Sequence, residues 1–213
     1  MNRTSFLGID LTSSPRKRSA CVGLASDLDL VFAGSLRHDT DMLAAAICER
    51  PRLVAIDAPL SLPEGLCCLE ERCGCEPSRL NGRECERTLA GLGIPCYFTT
   101  KRSIIKQMVY RGIALKSLLA EREIEVIEVY PYATKVRLWG KPIPRKGRRE
   151  GLDFMQTKLV DVMPSLAPYV AGFDHDLCDA ALAAYTACLQ AEGRAEAVGS
   201  PGEGLIWIPA RGG

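Results

Sequence analysis

Two short segments of the chain share one pattern: Phe6-Leu-Gly-Ile-Asp10 and Leu53-Val-Ala-Ile-Asp57. Each segment is apolar or small for four residues and then stops at an aspartate, which is typical of a buried strand ending at the edge of a sheet. If the two strands are parallel neighbours, their carboxylates lie at the same level, about 4.8 Å apart. This pair decides both the predicted fold and the predicted site.

The order of the surrounding elements predicts an α/β fold. Apolar runs at 20–25 and 30–34, separated by polar turns, indicate that the first segment is followed by two more strands in hairpin succession. The remaining predicted elements are helices at 40–49, 83–89, 101–123, 151–162 and 174–190, a strand at 125–131 and a short added strand at 204–209. This is the order of the ribonuclease H-like fold, a mixed five-stranded sheet (three antiparallel, then parallel strands) flanked by helices. Other α/β layouts remain open.

Length and composition limit the class of protein. A chain of 213 residues favours one domain over 1–213, with a Cys-rich insertion at 64–100. Its 47% hydrophobic and 25% charged residues are ordinary for a soluble globular protein. No apolar run approaches the roughly 18 residues that would span a bilayer, which argues against a membrane protein. The first ten residues follow a strand pattern without a signal segment, so we expect a cytoplasmic protein.

Cysteine is unusually frequent, at ten residues, and four of the ten fall within nine positions. A reducing compartment favours metal thiolates over structural disulfides, although the spacing is not that of a recognised zinc finger. We predict a structural Zn²⁺ site here, while an iron–sulfur cluster, disulfides and unliganded thiols remain open. The candidate ligands are Cys67, Cys68, Cys73, Cys75 and Cys85.

Basic residues are concentrated in one segment although the net charge is only +1. Residues 135 to 149 carry seven basic side chains and no acidic one. Such a run is either a solvated face or a strip that contacts phosphates. The candidate nucleic-acid-binding residues are Lys101, Arg102, Lys135, Arg145, Lys146, Arg148 and Arg149.

Further acids join the pair formed by Asp10 and Asp57. Asp176 and Asp179 are three residues apart on the last predicted helix, so they project from one side of it. Glu128 near the end of its own strand is a further candidate. Like charges brought together are costly, and divalent cations remove that cost. Each acid also has a structural alternative, as a cap, a turn residue or an ion-pair partner.

At this point the sequence resembles a known family, domain-of-unknown-function family 429, predicted nucleases with a ribonuclease H fold. The matching segments are Gly8-Ile9-Asp10, Ala55-Ile-Asp-Ala-Pro-Leu-Ser-Leu-Pro63, Arg83-Glu-Cys-Glu86, Glu128-Val-Tyr-Pro131 and Asp176-Leu-Cys-Asp179-Ala180. The acidic layout is also similar to that of RuvC-like resolvases, which implies metal-dependent cleavage of a nucleic acid. Those enzymes carry a glutamate on the fourth strand, where this chain has Asp57, with Glu128 one strand later.

The resemblance and the acids together predict a nuclease that uses two metal ions, Mg²⁺ or Mn²⁺. Asp10, Asp57 and Asp179 are the expected ligands, with Asp176 and Glu128 as additional carboxylates and His175 as a candidate for proton transfer. The expected partner is DNA or RNA, and analogy suggests a homodimer.

Two alternatives compete with the nuclease. A non-catalytic nucleic-acid-binding or assembly module could use the same fold. A phosphotransferase of the sugar-kinase or actin-like type would need a glycine-rich phosphate loop, which Asp10-Leu-Thr-Ser-Ser14 lacks.

Overall fold

The computed structural model describes residues 5–14, 16–78 and 81–211. Its strands are β1 (Phe6–Asp10), β2 (Ser19–Leu24), β3 (Leu30–Leu36), β4 (Leu53–Asp57), β5 (Val126–Val129), β6 (Ala195–Ser200) and β7 (Gly204–Pro209). Its α-helices are α1 (Asp39–Glu49), α2 (Glu84–Gly91), α3 (Lys106–Ala120), α4 (Pro131–Trp139), α5 (Arg149–Val162) and α6 (His175–Ala191), and two short 3-10 turns lie at Pro164–Leu166 and Val170–Gly172.

The strands form one mixed sheet in the order β3-β2-β1-β4-β5-β7-β6. The first three strands are antiparallel, and β1, β4 and β5 are parallel, as predicted. The prediction of five strands is wrong, because β7 adds to β5 in parallel and β6 pairs antiparallel with β7. Strand β6 was not predicted because its sequence, AEAVGS, has neither an apolar run nor a clean alternation.

Helices cover both faces of the sheet, which explains why β1 and β4 are almost wholly buried. Alternate residues of β1 face opposite sides: Leu7 and Ile9 pack with Leu115 and Leu119 of α3, while Phe6 packs with α5 and α6. The apolar side chains of the sheet are therefore shared between two cores.

Two helices differ from their predicted bounds. Helix α3 begins at Lys106 and not at 101, because the Lys101 ammonium donates to the carbonyls of Cys73 (2.5 Å) and Cys75 and ties this stretch to the cysteine segment. Helix α4 was not predicted, since Pro131 was interpreted as the end of a strand; it is instead the first residue of a helix, where a missing N–H costs nothing.

The predicted insertion at 64–100 contains helix α2 and otherwise turns and irregular structure in its described part; its residues 79 and 80 lie outside the described residues. Across the described ranges, no helix combines the length and the apolar character needed to cross a membrane.

Candidate metal centres

The two strand-ending aspartates lie side by side. Strands β1 and β4 are parallel and in register, with Asp10 opposite Asp57. Residues paired in this way point to the same face of the sheet, and for these two it is the face on which Gly8 meets α6. Both carboxylates are therefore directed towards the start of that helix.

Helix α6 brings the third carboxylate. Asp174 caps the helix, its Oδ1 accepting a hydrogen bond from the Leu177 N–H at 2.8 Å. Asp176 and Asp179 follow in the first two turns. Asp179 is 6% exposed, whereas the Asp176 side chain is half exposed. One acid of the pair is thus inside the site and the other lies at its rim.

The carboxylates are close enough to perturb one another. Burial, followed by the charge of Asp179, raises the pKa of Asp10 to about 7. Burial, followed by the charge of Asp10, raises the pKa of Asp57 well above its ordinary value. Burial and mutual repulsion both favour the protonated form. A cation bound among these oxygens would favour the ionised form and so lower both pKa values.

Two lysines partly neutralise the cluster. Lys146 Nζ lies 2.9 Å from Asp176 Oδ1, 3.0 Å from Asp179 Oδ2 and 3.8 Å from Asp10 Oδ2. Lys135 Nζ lies 2.5 Å from Asp179 Oδ1, with both side chains 8% exposed. That contact is an ion pair without hydrogen-bond geometry, so the buried Oδ1 has no hydrogen-bond donor among the described residues.

The donor set fits a hard divalent cation. All of the acids that converge here offer carboxylate oxygens, the ligands that Mg²⁺ and Mn²⁺ prefer. Asp179 Oδ1 faces the Lys135 ammonium at 2.5 Å, so a metal ion at Asp179 would take the other oxygen, Oδ2, in place of the half-exposed Lys146. Among the described residues, Asp57 has no ion-pair partner at all.

Glu128 lies apart from this cluster. It is paired with Ile56, one residue before Asp57, so its side chain is on the opposite face of the sheet from Asp57. Its Oε2 accepts hydrogen bonds from Arg83 Nη1 at 2.7 Å and from the Leu60 N–H at 2.8 Å, and its Oε1 accepts one from Arg83 Nη2 at 2.6 Å. The sequence predicted Glu128 as an additional carboxylate of the site, and the register of β5 against β4 places its side chain on the other face of the sheet.

Arg83 and Glu86 form the remainder of that buried network. Arg83 Nε donates to Glu86 Oε1 at 2.9 Å, and both residues are 1% exposed. Sequence analysis assigned neither of them a role. The sequence feature that could have predicted this ion pair is an arginine and a glutamate three residues apart at the start of a helix, where the two side chains can meet.

The basic candidates divide into buried and exposed residues. Lys135 is buried against Asp179, and Lys101 is held by cysteine carbonyls, so neither is free to contact phosphates. Arg102, Arg145, Arg148 and Arg149 are exposed. Arg148 and Arg149 line an open groove of about 460 Å³ together with His175. His175 Nε2 accepts a hydrogen bond from the Gly147 N–H at 3.2 Å, which anchors this loop to α6.

The cysteine segment forms a second candidate centre. The Sγ atoms of Cys67, Cys68, Cys73 and Cys75 all lie within 4.8 Å of one another, so this group could hold a metal ion. Backbone hydrogen bonds, first with Cys68, lower the pKa of Cys75 to about 6. Cys85, predicted as a fifth candidate ligand, is not in the group: it is fully buried in a core with Leu89 and Ile206.

Comparison with known proteins gives the family. Residues 8–203 match the family described as "Protein of unknown function (DUF429)". The chain belongs to the DUF429 family. No curated protein matches this DUF429 chain. A solved structure, "Thermus thermophilus RuvC structure", is 14% identical, covers 88% of this chain and 95% of its own, and gives a TM-score of 0.45.

Proposed function

We propose that this DUF429 protein is a metal-dependent nuclease that hydrolyses phosphodiester bonds. The observation that carries the proposal is the convergence of Asp10, Asp57 and Asp179 at the ends of two parallel strands and the start of α6, where burial and neighbouring carboxylates raise the pKa values of Asp10 and Asp57. Buried, mutually repelling carboxylates destabilise a fold unless a cation compensates them. Lys135 and Lys146 compensate Asp179, whereas Asp57 has no ion-pair partner among the described residues, so we infer that the cluster binds a metal ion.

In this proposal Asp10, Asp57 and Asp179 hold Mg²⁺ or Mn²⁺, and Asp176 completes the site from the rim. Bound there, such ions activate a water and stabilise the leaving oxygen of a phosphodiester. The two-ion arrangement expected from the sequence remains part of the proposal. Glu128 becomes a positioning residue, because its hydrogen bond from the Leu60 N–H holds the turn that follows Asp57.

The protein's own side chains have further proposed roles. Lys135 orients Asp179, since a buried ion pair restricts the rotamer of its carboxylate. Lys146 is half exposed and can move to a phosphate of the substrate. Arg102, Arg145, Arg148 and Arg149 contact the backbone of DNA or RNA and set its register without reading its sequence. His175 supports the loop at residue 147, because its Nε2 accepts the hydrogen bond from the Gly147 N–H, and its role in proton transfer stays a prediction.

The test is a panel of labelled single strands, duplexes, junctions and RNA–DNA hybrids, incubated with Mg²⁺, Mn²⁺ or EDTA. We expect cleavage of at least one substrate with Mn²⁺ and none with EDTA. The Asp179→Asn variant should lose cleavage by orders of magnitude. Metal-independent binding without cleavage would instead identify the protein as a non-catalytic nucleic-acid-binding module.

We further propose that the four clustered cysteines hold one structural Zn²⁺, which stabilises the 64–100 insertion of a single domain. Four thiolates suit a tetrahedral zinc site. Elemental analysis of protein purified without chelator should find about one equivalent of zinc. Cys73→Ser should lose it, while Cys48→Ser, a change at an exposed cysteine on α1, should keep it. Less than about a tenth of an equivalent of zinc in that preparation, with its free thiols titrating fully, would contradict this site.

A further inference from the structure

A small cavity adjoins the acidic cluster on the side of Asp57. Asp57, Pro59, Tyr97, Ile105, Met108 and Tyr130 are among the residues that line it. Its volume is about 70 Å³. A water needs roughly 10 to 15 Å³ by this measure, so the cavity has room for about five waters, comparable to one six-membered ring. A proposed metal ligand therefore lies in the wall of an otherwise largely apolar cavity.

Aromatic and aliphatic side chains are exposed at this cavity. Tyr97 lines it although 65% of the residue is exposed, and Ile104, next to the lining residue Ile105, is 79% exposed. Tyr130 is held in place by its hydroxyl, which donates to the Pro95 carbonyl at 2.8 Å. Large exposed apolar side chains beside a cavity indicate a ligand that is itself flat or apolar.

The charged residues of the cavity wall already have partners. Arg83 donates to Glu86, to Glu128 and to Ser61. Both Glu86 oxygens accept hydrogen bonds from Thr99, through its hydroxyl at 2.5 Å and its backbone N–H at 2.8 Å. These groups have little hydrogen-bonding capacity left for a ligand. Binding here would depend on stacking and burial, so it would tolerate different ligands of similar shape.

We propose that this cavity receives one unpaired nucleobase of the strand whose phosphate lies at the acidic cluster. This inference rests on the proposed nuclease function and names its substrate class: strands with an unstacked base at this position, such as single strands, loops or branch points. A base within a continuous duplex is held in the stack and would have to be flipped out first. Because the polar groups are saturated, the cavity does not read the hydrogen-bonding edge of a base, and its volume of about 70 Å³ suits a single six-membered ring, as in a pyrimidine.

Arg102 strengthens the case for a nucleic-acid strand over a free apolar ligand. It is exposed and precedes the lining residue Ile105 by three positions in the same turn-rich segment. Arg102 lines a separate groove together with Thr99, whose hydroxyl donates to Glu86 of the cavity wall. Single-strand-binding proteins combine a basic groove that follows the phosphates with aromatic side chains that stack the bases.

The experiment is a double-mutant cycle in which one change is a substitution in the protein and the other is the removal of one base from the strand. Fluorescence anisotropy measures the binding of a labelled single strand, with Ca²⁺ in place of Mn²⁺, to wild type and to Tyr97→Ala. A single abasic position is moved along the strand. We expect Tyr97→Ala to weaken binding roughly 5- to 100-fold, the range for loss of one stacked base. One abasic position should weaken wild-type binding similarly and should cost Tyr97→Ala little more.

Tyr169→Ala is the matched control, since Tyr169 is 53% exposed and lies between the two short 3-10 turns, outside the cavity lining. It should bind like wild type and keep the full abasic penalty. Thermal melting checks that Tyr97→Ala is folded. Unchanged binding by Tyr97→Ala, or penalties that simply add, would overturn the base site. If only the base site is wrong, Mn²⁺-dependent cleavage is still observed. If the nuclease proposal is wrong, no substrate is cleaved.

Discussion

Asp179 is the residue at which the charges of the site converge. It is 6% exposed, it raises the pKa of Asp10, and it pairs with both Lys135 and Lys146. A carboxylate buried to this degree is strongly unfavourable unless it is compensated. The two ammonium groups supply that compensation in the protein alone. Lys146, being half exposed, is the one that can leave when another cation arrives.

We therefore predict that Lys146→Ala binds Mn²⁺ more tightly than wild type, because a competing cation is removed. A half-exposed ion pair is worth about 1 kcal/mol or less, so the gain should be roughly two- to fivefold. Isothermal titration calorimetry measures it. Lys158→Ala, which removes a lysine paired with Asp161 on α5, is the control and should not change the affinity. Weaker Mn²⁺ binding by Lys146→Ala would show that this lysine helps to build the site.

At the level of residues, sequence reasoning identified the acids but not their partners. Asp10, Asp57 and Asp179 could be predicted as candidate ligands from the sequence, because strand ends and helical spacing are local patterns. Lys135 was interpreted as a phosphate contact, since nothing local indicates that α4 turns it towards α6. The face on which Glu128 lies depends on the register of β5 against β4, and a shift of one residue reverses it.

The contact between α6 and β1 is the packing feature that brings Asp179 to Asp10. A Cβ added at Gly8 would lie 2.0 Å from the Ala180 carbonyl oxygen and 2.4 Å from the Ala184 nitrogen. The helix backbone thus rests directly on the strand, which the run of alanines in α6 also permits. Only glycine at position 8 allows this distance.

Gly8→Ala should therefore separate α6 from β1 and damage the site. We expect a loss of about 3 kcal/mol in the free energy of unfolding, at the upper end for overpacking, together with weaker Mn²⁺ binding. Urea unfolding and calorimetry measure the two effects. Gly34→Ala on β3 is the control: an added Cβ there meets nothing within 4 Å, so stability should hold or rise slightly. Equal stability of the two variants would mean that α6 is not so closely packed.

At the level of elements, the strongly patterned parts were predictable. The three antiparallel strands, the parallel β4 and β5, and the added strand β7 followed from apolar runs and turn residues. Helix α4 could not be predicted, because a proline can either end a strand or begin a helix. Strand β6 could not be predicted either, because it is stabilised by pairing with β7 and not by its own sequence pattern.

The whole molecule carries a net charge of only +1, so its affinity for nucleic acid must come from how the charges are distributed. Arg145, Arg148 and Arg149 form an exposed strip beside α6. Changing all three to Ala should weaken binding equally across sequences. It should also flatten the slope of log K against log[salt] by roughly one unit per lost phosphate contact. An unchanged slope would exclude the strip from the interface.

The most direct test of the metal site is Asp57→Asn, compared with wild type by calorimetry with Mn²⁺ and by melting in EDTA. Burial and the charge of Asp10 raise the pKa of Asp57 and so disfavour its ionised form in metal-free protein, and an amide of the same shape should leave the melting temperature in EDTA unchanged or higher. Mn²⁺ should bind the wild type, raise its melting temperature in proportion to ln(1 + [Mn²⁺]/Kd), and bind the variant at least about tenfold more weakly. A variant that binds Mn²⁺ like the wild type but melts lower in EDTA would contradict the account and make Asp57 a structural residue.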